Sequence, residues 1–103
     1  MTPTCTLTAT LHAKPEKRGE LQDLLQSFVT KSRSEPGCIE YHFHVSEYNP
    51  NVFFFYENWR TRADLDTHLG LEYQRSWFAR HNEFLAKEVE LKFFRMLSEY
   101  DKQ

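Results

Sequence analysis

The most apolar stretch of the chain is residues 52–56, in which every side chain is large and apolar. A strand points successive side chains to opposite faces, so a strand with one wet face alternates apolar and polar residues. The unbroken run therefore predicts a central strand over residues 52–59 that is covered on both faces. Because a chain of 103 residues has helices to cover only one face, we expect a second copy of the chain to cover the other. The strand ends in Glu57, Asn58 and Trp59, which bring polar groups to the edge of the apolar layer, where a ligand could bind.

Two further segments show clear periodicity. From position 5 to position 12, small or apolar residues alternate with threonine, which predicts a first strand. After Pro15, apolar residues recur with the period of a helix that buries one face. They are Leu21, Leu24, Leu25, Phe28 and Val29. Pro36 and Gly37 predict the end of this helix and a reversal of the chain.

A second strand is predicted from residue 38 to about residue 47, and its register against residues 52–59 decides which side chains share a face. The expected opposite pairs are Glu47 with Val52, His44 with Phe55, His42 with Glu57, and Glu40 with Trp59. This register places two imidazoles, carboxylates and an indole on one surface. A shift of one residue would place Tyr41 and Phe43 there instead.

The remainder of the chain predicts helical segments followed by a strand. Thr61 and Asp64 resemble a helix cap, and His68 follows on the same helical face as Leu65 and Leu69. An aromatic helical segment and a strand beginning near Val89 complete the chain. The order β-α-β-β-α-β predicts an α+β, ferredoxin-like fold in which both helices cover one face of a four-stranded antiparallel sheet.

Composition narrows the class of protein. The chain is predicted to form one domain over residues 1–103. Its formal net charge of -2 provides no basic surface, so we expect neither nucleic acid nor a membrane as a partner. Two cysteines form no metal-binding or disulfide pattern, and residues 1–4 do not begin a signal peptide, which predicts a soluble cytoplasmic protein. Aromatic residues make up 16% of the chain, more than so small a core needs, so some should line an interface or a cavity.

Several short motifs occur in a recognisable order and spacing. They are Lys14-Pro15-Glu16-Lys17, Glu35-Pro36-Gly37-Cys38, Asn49-Pro50-Asn51-Val52-Phe53, Tyr56-Glu57-Asn58-Trp59 and Asp64-Leu65-Asp66-Thr67-His68-Leu69. Together they resemble the antibiotic biosynthesis monooxygenase domains over nearly the whole chain, and most nearly the small quinol monooxygenases among them. The resemblance implies a dimeric α+β barrel. It also implies that Trp59 matches the strand-end tryptophan of the anthrone oxygenases of that family, whereas Phe55 replaces their asparagine.

Candidate catalytic residues follow from the chemistry that such an oxygenase needs. Oxygen transfer without a metal or flavin requires a substrate that itself reduces O₂, such as an electron-rich phenol or hydroquinone. The protein must remove a proton and hold the resulting anion away from water. We predict His68 as the base and His44 as the second candidate, with Glu57 orienting an imidazole or accepting a substrate hydroxyl. Aromatic side chains predicted to stack on a flat ring are Trp59, Phe55, Tyr73, Trp77 and Phe78.

The function predicted from the sequence is that of a cofactor-independent monooxygenase for a quinol-like or polycyclic phenolic compound, with O₂ as the second substrate. No metal is expected, because the alternating His42 and His44 lack a third convergent ligand. Two alternatives stay open: an isomerase or detoxifying enzyme for a small reactive carbonyl on the same fold, and a non-catalytic ligand-binding dimer. A histidine on an apolar stripe such as His68 also has a purely structural interpretation, as a core residue bonded to a backbone carbonyl.

Overall fold

The computed structural model describes residues 2–100, and its elements follow the predicted order. The strands are β1 (Cys5–His12), β2 (Cys38–Val45), β3 (Val52–Trp59) and β4 (Glu90–Phe94). The helices are α1 (Arg18–Arg33), α2 (Arg62–Leu69) and α3 (Glu72–Arg80), and short 3₁₀ turns over Pro15–Lys17 and His81–Glu83 precede α1 and follow α3.

The four strands form one antiparallel sheet in the order β2-β3-β1-β4, with β3 and β1 in its centre. This arrangement confirms the predicted α+β, ferredoxin-like fold. The side chains of Leu7, Ala9, Phe53 and Phe55 are buried on the face that packs against the helices. Leu21, Leu25 and Phe28 of α1 are buried against them, as the helical period predicts.

The beginning of α2 is set by the predicted cap. The hydroxyl of Thr61 accepts a hydrogen bond from the backbone N–H of Asp64 at 3.1 Å and donates to the Asp64 carboxylate at 2.9 Å. These bonds satisfy one of the free N–H groups at the helix N-terminus and place an acidic group near its positive end. Arg60 holds the same carboxylate through two hydrogen bonds, so the connection between β3 and α2 is fixed.

The predicted register of β2 against β3 is wrong by one residue. His42 lies opposite Tyr56 and His44 opposite Phe54, on the face of the sheet away from the helices. Glu40 lies opposite Asn58 rather than Trp59. An irregularity between Cys38 and Glu40 accommodates the shift of the strand.

Aromatic packing explains why this register is preferred. Phe43 now faces the helices, and its ring stacks on both Phe53 and Phe55, with centroid distances of 5.3 and 4.8 Å. Tyr41 is buried on the same face and lies opposite Glu57. The predicted register would have placed histidines in this apolar layer and aromatic rings outside it, which costs free energy on both counts.

No helix within residues 2–100 covers the second face of the sheet. Val52, Phe54 and Tyr56 are half-buried there, flanked by threonines of β1 and histidines of β2. Phe94 of β4 retains 52% of its exposure on this side. We call this surface the open face. Its covering by a second copy of the chain stays a prediction.

No helix within residues 2–100 is both long enough and apolar enough to cross a membrane.

Gly37 provides a test of how closely α2 packs against the turn after α1. Gly37 does not have a positive φ, so its role is close approach. A Cβ at this position would lie 2.3 Å from the Asp64 Cβ, whereas a Cβ on Gly19 would meet nothing within 4 Å. Gly37→Ala should therefore lower the free energy of unfolding by about 1–3 kcal/mol, and Gly19→Ala should leave it unchanged or raise it slightly. Urea denaturation measures both. Equal stability of the two variants would contradict the packing described.

Candidate functional site

A small cavity, which we call the inner cavity, lies between the helix-facing side of the sheet and the helices. Its volume is about 30 Å³, room for a water molecule or two and less than an aromatic ring occupies. Most of its lining is apolar, and Glu57, His68 and Gln74 supply the polar groups. The full lining is Leu7, Ala9, Leu11, Phe28, Tyr41, Phe55, Glu57, His68, Leu69, Gln74, Trp77, Phe78, Val89 and Leu91.

His68 is brought to the inner cavity by its place on the buried stripe of α2. It is 1% exposed, and the neighbouring Leu65 is fully buried. Its Nδ1 lies 2.9 and 3.1 Å from the two carboxylate oxygens of Glu35. A carboxylate only accepts hydrogen bonds, so Nδ1 carries the proton. The other ring nitrogen, Nε2, makes no hydrogen bond to any residue between 2 and 100, which leaves its lone pair available.

Glu35 is itself held by the Tyr73 hydroxyl, which Ser32 contacts in turn. The Tyr73 hydroxyl donates to Glu35 Oε2 at 2.5 Å, and the Ser32 hydroxyl lies 2.8 Å from the Tyr73 oxygen. From the sequence, Glu35 is only the residue before the Pro36-Gly37 helix end and has no predicted chemical role. A signal was present in Ser32, which is fully buried on the apolar stripe of α1 one turn before Glu35. A polar residue on such a stripe indicates that a buried polar partner lies nearby.

Glu57 and Trp59 form a second buried pair. The indole Nε1–H of Trp59 donates to Glu57 Oε1 at 3.0 Å. Trp59 is 0% exposed and Glu57 is 3% exposed. Burial raises the pKa of the Glu57 carboxyl to about 8, with a smaller contribution from the charge on Glu35, and the indole hydrogen bond only partly opposes this rise. Glu57 therefore keeps its proton at neutral pH.

The pKa of His68 moves in the opposite direction. Burial lowers the pKa of the imidazole, because a charged ring is poorly solvated there, and the charge and hydrogen bond of Glu35 compensate only in part. At neutral pH the imidazole is uncharged and can accept a proton. A neutral base and a protonated carboxylic acid thus line the same cavity, the arrangement expected of an acid–base pair.

The structure brings together only part of the predicted site. His68, Glu57, Phe55, Trp77 and Phe78 all line the inner cavity. His44 does not, because the register of β2 places it exposed on the open face, where its Nδ1 lies 3.3 Å from a backbone carbonyl.

Trp59 and Tyr73 do not line the inner cavity but contact the polar cluster, by which we mean Glu35, Glu57 and His68. The Trp59 ring packs on His68 with a centroid distance of 4.6 Å, and Tyr73 bonds Glu35 as described above. Glu35 also bonds the imidazole of His68, whereas the sequence predicts that Glu57 orients an imidazole or accepts a substrate hydroxyl.

Two larger surface depressions adjoin the cluster. The outer pocket, of about 370 Å³, is lined by Glu35, Pro36, Gly37, Trp59, Arg60, Asp64, Thr67 and Leu71. The α1/α3 cleft, of about 310 Å³, is lined by Leu24, Ser27, Phe28, Lys31, Glu72, Tyr73, Ser76, Trp77, Arg80 and Phe84. Phe28 and Trp77 line both the cleft and the inner cavity and therefore separate the two.

Comparison with known proteins places this site in a family. The model of the antibiotic biosynthesis monooxygenase family matches residues 4–80, a segment that includes β1 to α3 and every polar residue of the site. The chain belongs to the antibiotic biosynthesis monooxygenase family.

Individual relatives agree with this assignment. The chain is 41% identical over 86 residues to an uncharacterised protein of Synechocystis, and the match covers 84% of this chain and 58% of the length of that protein. It is 30% identical over 89 residues to a Mycobacterium tuberculosis protein named "Putative monooxygenase Rv0793", covering 86% of this chain and 87% of the relative.

Solved structures of family members share the fold. The structure of Rv0793 superposes with a TM-score of 0.89 and 27% identity, covering 97% of this chain and all of the other. The crystal structure of PA3566 from Pseudomonas aeruginosa superposes with a TM-score of 0.85 and 32% identity, covering 95% of this chain and 98% of the other. The α+β fold is therefore that of the family, and the family names support a monooxygenase-like role.

The protonation of Glu57 predicts how stability depends on pH. The pKa of this carboxyl is about 8 in the folded protein and near 4.5 when exposed, so its stabilising contribution is complete below pH 4.5 and is lost as the pH rises to 8. Glu57→Gln removes the ionisation and keeps the acceptor for Trp59. As the pH rises from 5 to 8, the unmodified protein should lose stability relative to this variant. The difference between their free energies of unfolding should grow by up to about 1.4 kcal/mol per pH unit.

Urea denaturation at several pH values measures this difference. Glu47→Gln, in the exposed turn after β2, serves as the control and should show no such gain. If the two variants show the same dependence on pH, Glu57 is ionised in the folded protein and cannot act as an acid.

Proposed function

We propose that the protein is a cofactor-independent monooxygenase that oxidises a quinol-like or polycyclic phenolic compound at the inner cavity. The observation that carries the proposal is the placement of an uncharged imidazole, His68, and a protonated carboxyl, Glu57, beside one small, mostly apolar cavity. Phe55, Trp77 and Phe78 supply flat apolar walls for an aromatic ring. Membership of the monooxygenase family supports the same reaction class.

The residues suit each proton transfer of such a reaction. His68 Nε2 takes the proton of one substrate hydroxyl, and the anion so formed gives electrons to O₂. A bond then forms between a ring carbon and oxygen. Cleavage of the O–O bond, together with loss of the hydrogen on the same ring carbon, leaves one oxygen atom on the ring as a carbonyl and releases the other as water. The protonated His68 and Glu57 supply the two protons of the water, and the proton lost from the ring carbon returns Glu57 to its protonated form. The sum is quinol plus O₂ giving hydroxyquinone plus water, so Glu57 and His68 return to their starting states.

Exclusion of water supports this chemistry, because an aromatic anion in a low-dielectric site is not quenched by bulk solvent. The inner cavity is smaller than an aromatic ring, so binding requires its walls to move. Phe28 and Trp77 are the walls shared with the α1/α3 cleft, which is itself wide enough for a ring. Rotation of these two side chains would admit a substrate from the cleft.

The same acid–base pair supports a second candidate function. A neutral imidazole and a protonated carboxyl can move a proton between carbon and oxygen, as an isomerase for a small reactive carbonyl requires. Such an isomerase would turn over a carbonyl substrate without consuming O₂, so the oxygen measurement below separates the two functions.

We also propose that the working form is a homodimer joined through the open face. Val52, Phe54 and Tyr56 place an apolar row there that the chain itself leaves half-covered, and Phe94 of β4 lies on the same face beyond the threonines of β1. Half-covered aromatic side chains on a sheet face are typical of an interface. The flanking threonines and histidines would make the interface partly polar.

Oxygen consumption tests the proposed reaction. With menadiol or an anthrone as substrate, the protein should consume O₂ faster than the substrate does on its own. His68→Gln should lower kcat about 10²–10⁴-fold, because it removes the base. His44→Gln, on the opposite face of the sheet, should retain the rate, which decides between the two candidate histidines. If a panel of quinols and anthrones raises oxygen consumption no further than buffer does, the protein is not this monooxygenase.

Light scattering tests the proposed dimer. At micromolar concentration the protein should have twice the mass of one chain. Phe54→Asp places a charge in the open face and should yield a monomer, whereas Tyr48→Asp, in the exposed turn before β3, should leave the dimer intact. Circular dichroism confirms that each variant is folded. A monomeric unmodified protein would refute the interface.

A further inference from the structure

We propose that Glu35 is a positioning residue for His68, and that its carboxylate is reached from the outer pocket, on the side of the imidazole away from the substrate. The proposal rests on the function assigned to His68 above. The proposal adds Glu35 to the site and adds a route from the outer pocket to its carboxylate. The acid–base pair of His68 and Glu57 requires neither.

The first argument is the geometry of the hydrogen bonds. Both carboxylate oxygens of Glu35 lie within 3.1 Å of Nδ1, so the proton is held on that nitrogen and the lone pair on Nε2. When Nε2 takes a proton, the charge of the imidazolium ion is balanced by the adjacent carboxylate. The Tyr73 hydroxyl, 2.5 Å from Oε2, fixes the direction of the carboxylate.

The second argument is the separation of the two spaces. His68 lines the inner cavity and not the outer pocket, whereas Glu35 lines the outer pocket and not the inner cavity. The side chain of Glu35 is 13% exposed and that of His68 is 1% exposed. The imidazole–carboxylate pair therefore lies between the inner cavity and the outer pocket, with the imidazole on the first side and the carboxylate on the second. A small ion could replace the carboxylate from outside without entering the substrate cavity.

Other charges near the pair do not replace Glu35. Glu57 is the second acidic group beside the site, but its Oε1 bonds Trp59 and burial keeps it protonated at neutral pH. In the outer pocket, Asp64 is held by Arg60 through two hydrogen bonds. Glu35 is thus the carboxylate bonded to the imidazole in the part of the chain that the structure describes.

Nuclear magnetic resonance tests the positioning role without reference to activity. Two-bond ¹H–¹⁵N correlations of the labelled protein should show His68 protonated on Nδ1. The assignment should persist in Glu35→Gln, whose amide oxygen still accepts the bond, and should be lost in Glu35→Ala. Formate added to Glu35→Ala should restore the Nδ1-protonated signal in a saturable way, and chloride should not. A proton on Nε2 in the unmodified protein, or formate without effect, would overturn the inference.

Kinetics provides the second measurement. Glu35→Ala should lower kcat about tenfold or more with KM nearly unchanged, because the base is misoriented while the substrate contacts remain. Formate should recover part of the lost rate in Glu35→Ala but none in His68→Gln. Glu16→Ala, an exposed glutamate before α1, should behave as the unmodified protein.

The outcomes separate this inference from the proposed function. If the unmodified protein consumes no oxygen, the proposed function fails and the resonance measurement alone decides the role of Glu35. If oxygen is consumed and depends on His68, while Glu35→Ala and Glu35→Gln keep the full rate, the positioning role is wrong and the function stands.

Discussion

Burial of two titratable side chains in an aromatic layer is the constraint on which the site depends. The side chains of β3 that face the helices are large and apolar up to Glu57, and the helices cover them closely. An acid and an imidazole placed in such a layer lose the solvation of their charged forms, so both become neutral at physiological pH. In these forms the imidazole can accept a proton and the carboxyl can donate one.

The hydrogen bonds around these groups show how the fold tolerates that burial. Within residues 2–100 every side-chain nitrogen or oxygen that is fully shielded from solvent has a hydrogen-bond partner. In the site, Nδ1 of His68 bonds Glu35, which lies 33 positions away, and Glu57 bonds Trp59, two residues further along β3. Such pairing limits the cost of desolvation and also fixes the orientation of the groups. The same bonds that stabilise the core therefore define which atoms face the cavity.

The two faces of the sheet differ in how closely they are packed. On the helix side, close packing of Phe43 against Phe53 and Phe55 leaves only a small cavity beside His68. On the open face, the same central strand presents Phe54 and Tyr56 to the outside. Successive side chains of β3 point to opposite faces of the sheet. A substitution at one position of β3 can therefore alter the site, whereas a substitution at the next position can alter the proposed interface.

The sequence alone determined the order of the elements and the place of His68, because both depend on local periodicity. The stripe of α1, the cap at Thr61 and the position of His68 beside Leu65 all follow from residues within a few turns of each other. The register of β2 and the contact between Glu35 and His68, 33 positions apart, were decided only by the tertiary structure. Strand register depends on which aromatic rings pack best across segments, and a hydrogen bond between distant residues forms only where the fold brings both ends together.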